Sequence, residues 1–130
     1  MLASALLCAG LVLAQDVSEN KLDIEDLQGT WDVQADSPEG AKAAGIVWKF
    51  KGKEYVIEAQ TGKAIDSIKF EIDATKEPKR IDRTSSNRTI FGIYKLDSYT
   101  LTILSGTETK RPTSFDDKEG KLTVLKRRAN

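Results

Sequence analysis

A small antiparallel up-and-down β-barrel of about eight strands is the fold class that this sequence predicts. Three observations lead there. Apolar residues recur at every second position in one short run after another, turn-forming residues separate the runs at strand-and-turn spacing, and no long helical pattern lies between them. The 130 residues, 39% hydrophobic and 31% charged, suit one domain with a single core rather than a disordered chain.

Residues 1–14 are a different material from the rest. Met1 to Ala14 carries no charge, and the run from Ala5 to Ala14 has the character of a signal-peptide hydrophobic region. It is too short to span a bilayer, which takes roughly 20 apolar residues. Val12-Leu13-Ala14 supplies the small residues that a signal peptidase inspects, with cleavage before Gln15. No lysine or arginine precedes the run, which leaves open a start upstream of Met1. Cys8 follows Leu7 rather than a small residue, which argues against a lipidated cysteine. The mature chain then has no cysteine. Export without disulfides suits a bacterial envelope, so the expected location is periplasmic or extracellular.

Residues 15–21 are polar and read as a flexible arm, and residues 22–130 as the barrel domain. Leu22-Asp23-Ile24-Glu25-Asp26-Leu27 spaces its apolar residues for a helical turn or two. Gly29 to Ala35 then begins the alternation of a half-buried strand. Ile46, Trp48 and Phe50 share a face of the next run, as do Tyr55, Ile57 and Ala59 in the third and Ile68, Phe70 and Ile72 in the fourth. Ile81 sits in the short polar run Lys79–Thr84. Ile90 to Leu96 is apolar on both faces. Tyr99, Leu101 and Ile103 alternate with threonines, and Leu122 and Val124 flank Thr123 before a basic end. Turn signals fall between these runs at Pro38-Glu39-Gly40, Gly52, Gly62, Pro78, Ser85-Ser86-Asn87, Asp97-Ser98, Ser105-Gly106, Pro112 and Gly120. Closing such strands into a barrel leaves no exposed edge.

Leu27-Gln28-Gly29-Thr30-Trp31 places a Gly-x-Trp at the start of the first strand, which resembles the signature of the lipocalin and calycin barrels. The resemblance implies that Gly29 and Trp31 close one end of the barrel, with a basic residue of the last strand across the indole; Arg127 is the candidate. Further motifs fall in order after it: Lys79-Arg80-Ile81-Asp82, Gly92-Ile93-Tyr94-Lys95-Leu96-Asp97, Leu101, Arg111-Pro112-Thr113-Ser114-Phe115 and Val124 to Arg127. Together they are similar to a planctomycete-type lipocalin-like domain family of unknown function. That family implies a fold and no activity. Asp97-Ser98-Tyr99 and Gly106-Thr107-Glu108 depart from it, both in turns.

Composition narrows the function. Twenty basic residues balance twenty acidic ones, which argues against a nucleic-acid partner. No histidine is present, so the commonest general base and metal ligand is missing, and no metal or cofactor is expected. Asp66, Asp73, Asp82 and Asp97 are candidates for acid–base pairing, but each sits by a turn or on a polar face, with no Gly-x-Ser-x-Gly elbow or phosphate loop nearby; an enzyme is not expected. Arg111 is expected to hold its Arg-Pro turn through a salt bridge or carbonyl contacts. The acceptor motif Asn87-Arg88-Thr89 and the basic end Lys126-Arg127-Arg128 carry little weight.

The large side chains of the strands, Trp48, Phe50, Tyr55, Phe70, Tyr94 and Tyr99, either fill the interior or line a cavity in it. The leading expectation is a binding module for a small apolar ligand. Its candidate lining is Trp48, Phe50, Tyr55, Ile57 and Ile68, with Phe70, Tyr94 and Leu101. The alternative is a structural or protein-interaction domain with a filled barrel. No transmembrane segment is expected in the mature chain.

Overall fold

The structure, a computed structural model, describes residues 19–36 and 45–129. The expected signal peptide (1–14), residues 15–18 of the expected arm and the Pro38-Glu39-Gly40 turn lie outside the described residues. Residues 19–21, read as arm from their polarity, are helical. They belong to helix α1, described over residues 19–27, because Asn20 and Asp23 on its polar side bond to the barrel.

Eight strands follow: β1 (Gly29–Asp36), β2 (Val47–Lys51), β3 (Glu54–Glu58), β4 (Ala64–Asp73), β5 (Lys79–Ser85), β6 (Arg88–Leu96), β7 (Thr100–Ser105) and β8 (Lys121–Arg127). Each pairs antiparallel with the next, and β8 returns to pair with β1, so the sheet closes. Each alternating run of the sequence is one strand, because a period of two buries one face and wets the other. The β5–β6 hairpin turns on Ser86 and Asn87, both at positive φ (51° and 69°). That is the two-residue geometry that matches the twist of paired strands.

The inward faces build the core in layers. Trp31 lies opposite Trp48 and Arg127, Phe50 opposite Tyr55, Tyr55 opposite Ile68, and Ile72 opposite Ile81. Leu27, Trp31, Leu101, Ile103 and Leu125 are fully buried. Tyr99 differs from the sequence reading: it is 70% exposed. It shares parity with Leu101 and Ile103, but it stands one residue before β7, in a turn held by Asp97 Oδ1, which accepts from the Tyr99 and Thr100 amides at 2.8 and 2.7 Å. The pleat does not extend to it. Ala59, likewise, lies just past the end of β3.

The two-faced apolarity of β6 has its own cause. The connection from Gly106 to Gly120 folds back over the outside of β6 and β7. Gly106 N donates to the Phe91 carbonyl at 2.8 Å, Phe91 N donates to the Thr107 carbonyl at 3.2 Å, and Arg111 Nη1 donates to the Gly92 carbonyl at 2.8 Å. Arg111 also pairs with Asp82 (2.7 Å) and lies 5.0 Å from the Phe91 ring centroid, which fits the structural role read from the sequence. Ile93 and Leu104 are buried under this cover although they face outward from the barrel core. A Cβ at Gly120 would stand 2.7 Å from Leu104 Cδ1, so glycine is needed for the close approach.

Candidate functional site

The barrel has two unlike ends. At one, α1 caps the core. Trp31 Nε1 donates to the Leu27 carbonyl at 2.8 Å, and Gln28 exchanges two bonds with the Gly52 backbone in the β2–β3 turn. Asn20 Oδ1 accepts from the Ala74 amide at 2.7 Å. Asp23 Oδ2 accepts from Lys79 Nζ at 2.9 Å and from the Tyr94 hydroxyl at 2.6 Å. Burial, and then the bond to Asp23 and its charge, push the Tyr94 phenol far above the ordinary tyrosine range.

Arg127 completes this end. Its guanidinium carbon lies 4.3 Å from the Trp31 ring centroid, and its nitrogens donate to the carbonyls of Gln28 (2.9 Å), Ser98 (3.1 Å) and Asp26. Gly29 stands beside it at φ 112°, a backbone state that disfavours any side chain. Gly29, Trp31 and Arg127 therefore sit together at one closed end.

In the middle the barrel is filled. The Tyr55 ring stacks on Trp48, centroids 4.4 Å apart and planes 9° apart, while Phe50 contacts Tyr55 at 4.8 Å and meets Phe70 edge-on at 5.5 Å. Such aromatic pairs contribute about 0.5–1.5 kcal/mol each beyond their buried area. Tyr94 and Leu101 pack with the same core, towards the α1 end.

The other end is open. A cavity of about 390 Å³ is lined by Tyr55, Ile57, Ile68 and Ile90, and by Arg83, Ser85, Ser86 and Arg88. These positions come from β3, the middle of β4 and the two sides of the β5–β6 hairpin. Of the lining expected from sequence, Tyr55, Ile57 and Ile68 border this cavity. Trp48, Phe50 and Phe70 form the packed aromatic block, and Tyr94 and Leu101 lie deeper still.

Sequence reasoning did not select Arg83, which borders the cavity. It lies on β5 two residues after Ile81 and shares that inward face, so its charge points into the barrel. Nη1 donates to the Tyr55 hydroxyl at 3.2 Å, Nη2 donates to the Ser105 hydroxyl, and the guanidinium carbon is 6.0 Å from the Trp48 ring centroid. Nε is sealed from solvent and has no hydrogen-bond partner. Burial raises the Tyr55 phenol above its usual range while Arg83 pulls it down, so Tyr55 is a neutral hydroxyl at ordinary pH. The parity of Ile81 and Arg83 was the available signal, visible once the strand is known to face a closed interior.

The four aspartates do not converge. Asp66 sits at the rim with its carboxylate near the Ser85 hydroxyl (3.2 Å), and Asp82 pairs with Arg111. Asp73 is held below the usual carboxylate range, first by the Thr75 hydroxyl, and Asp97 by the amides of Tyr99 and Thr100. Each is engaged locally: Asp66 by the Ser67 amide and the Ser85 hydroxyl, Asp82 in an ion pair, and Asp73 and Asp97 in turns. No helix among the described residues is long and apolar enough to cross a membrane. Comparisons with family models, with curated proteins and with solved structures return no match.

Proposed function

We propose that this chain is an exported, lipocalin-like binding module, not an enzyme, and that it holds a small, largely apolar molecule in the mouth of the barrel. The observation that supports this most is the cavity itself. Three isoleucines and the edge of a tyrosine supply apolar wall, and a few polar groups converge at one side. That combination is typical of small-molecule sites, whose volumes run from about 300 to 1,000 Å³. At about 390 Å³ the cavity suits a compact ligand. Export rests on the uncharged apolar run from Met1 to Ala14.

A second reading, a filled barrel acting as a structural or interaction domain, draws on the Trp48–Phe50–Tyr55–Phe70 block that occupies the centre. Native mass spectrometry on the protein purified without detergent from its own source separates the two. A reproducible added mass that disappears on denaturation is the expected result. A bare polypeptide mass, with no uptake from a panel of small apolar dyes, would contradict the carrier reading and favour the filled-barrel one.

A further inference from the structure

We infer that Arg83 is the anchor for an anionic head, and that the ligand of the barrel mouth is a compact amphipathic carboxylate. The inference rests on the mouth being a small-molecule site and adds the chemistry of what it holds.

Among the described residues, no acidic side chain answers the charge of Arg83. Both of its hydrogen-bond partners, the hydroxyls of Tyr55 and Ser105, are neutral. No carboxylate of a described residue forms an ion pair with it, and its Nε points to no acceptor although water cannot reach it. Other cations at comparable places are matched. Arg88, at the same mouth, pairs with Glu108; Arg111 pairs with Asp82; Lys79 pairs with Asp23; and Arg127 donates to three carbonyls. The Trp48 face steadies the Arg83 guanidinium but cannot neutralise it. Arg83 is half-buried beside the cavity, and sealing the mouth over it with a neutral apolar molecule would strip solvent from a charge that has no counter-charge, which is unfavourable. A ligand that brings its own negative charge reverses that sign.

The geometry also selects the kind of anion. An arginine fork accepts a carboxylate or a phosphate in two-point fashion. Here one unpaired monocation is on offer, because the neighbouring Arg88 is already committed to Glu108. A single negative charge is balanced and a dianion is not. The Tyr55 hydroxyl accepts from Arg83, so its own proton is left to donate to the second carboxylate oxygen. Ile57, Ile68 and Ile90 then take the short apolar body.

The test is calorimetric titration of the full chain with octanoate, 1-octanol and octyl phosphate, which share one tail and differ in the head. Octanoate is expected to bind at least about ten-fold more tightly than octanol, as a charge-assisted pair requires, and more tightly than octyl phosphate. Arg83→Gln should bring octanoate and octanol to within about two-fold of each other, and Tyr55→Phe should weaken octanoate several-fold, roughly one hydrogen bond's worth. Equal binding of octanoate and octanol by the unaltered protein would overturn the inference while leaving a mouth that binds apolar molecules. So would unchanged octanoate affinity in a folded Arg83→Gln protein. Tighter binding of octyl phosphate would overturn the choice of carboxylate. If none of the three bound, the binding-module reading itself would fall. The head-group comparison needs no substitution, so a poorly folding variant does not decide the matter.

Discussion

This barrel sets an arginine against a tryptophan twice, at the closed end and beneath the open mouth, and the two arginines live differently. Arg127 lies 4.3 Å over Trp31, gives its nitrogens to three backbone carbonyls, and is flanked by α1 and Gly29. Arg83 lies 6.0 Å from Trp48, meets two hydroxyls, keeps a sealed and unpartnered Nε, and borders a cavity. One guanidinium is satisfied within the fold and holds it shut. The other is left incomplete at an opening. Position on the strand ladder explains the contrast. Arg127 ends β8 beside the exposed carbonyls of the helix-to-strand junction, which are ready acceptors. Arg83 lies within β5, where neighbouring carbonyls are already used by the β4 and β6 ladders.

The largest effect should come from the closed end. Trp31→Ala removes a fully buried indole and its bond to Leu27, and should destabilise by about 3–5 kcal/mol in denaturant unfolding. A midpoint that barely moved would mean that Trp31 is not the plug of this end.

The next effect is a paired measurement on the two arginines. Arg127→Leu strands the carbonyls of Asp26, Gln28 and Ser98 and uncovers the Trp31 face, a cost of about 2–3 kcal/mol. Arg83→Leu removes an unanswered charge from the barrel, and its stability should stay within about 1 kcal/mol of the unaltered protein or rise above it. Equal losses in the two variants would make Arg83 a second structural clamp and erase the comparison.

The smallest effect concerns Tyr94. Tyr94→Phe should cost about 1 kcal/mol for the lost bond to Asp23. It should also change the alkaline limb of the stability curve. The folded protein holds the Tyr94 proton to higher pH than the unfolded chain does, so more protons are bound in the native state. Stability from this group is complete below the unfolded tyrosine value of about 10 and falls as pH rises beyond it. Unfolding midpoints measured from pH 8 to 11 should decline less steeply in the Phe variant. An identical slope would mean that Tyr94 does not keep its proton by virtue of folding.

The strands were legible in the sequence because local rules determine them, and the closed end because its motif resembles that of known barrels. Alternation at Trp48-Phe50, Tyr55-Ile57 and Ile68-Phe70 marks inward faces, and Gly29-Thr30-Trp31 with Arg127 marks the cap. The mouth was only half legible. Tyr55, Ile57 and Ile68 were expected there, but so were Trp48, Phe50 and Phe70, which stack on one another instead. Parity tells which side of the sheet a residue faces. It does not tell the height at which a filled barrel stops being filled. Arg83 escaped for a related reason: in the polar run Lys79–Thr84 a charged residue reads as a solvent face until closure makes that face an interior. Tyr99 misled in the opposite direction, because its turn ends the alternation one residue before β7 begins.

The most direct test of an occupied open end and a structural closed end is a proton–nitrogen correlation spectrum recorded during an octanoate titration. The Arg83 Nε–H signal and the backbone amides of Ile57 and Ile90 should shift together and saturate, while the Trp31 indole and Arg127 Nε–H signals stay in place. Shifts centred on Trp31 and Arg127, with Arg83 unmoved, would contradict the account.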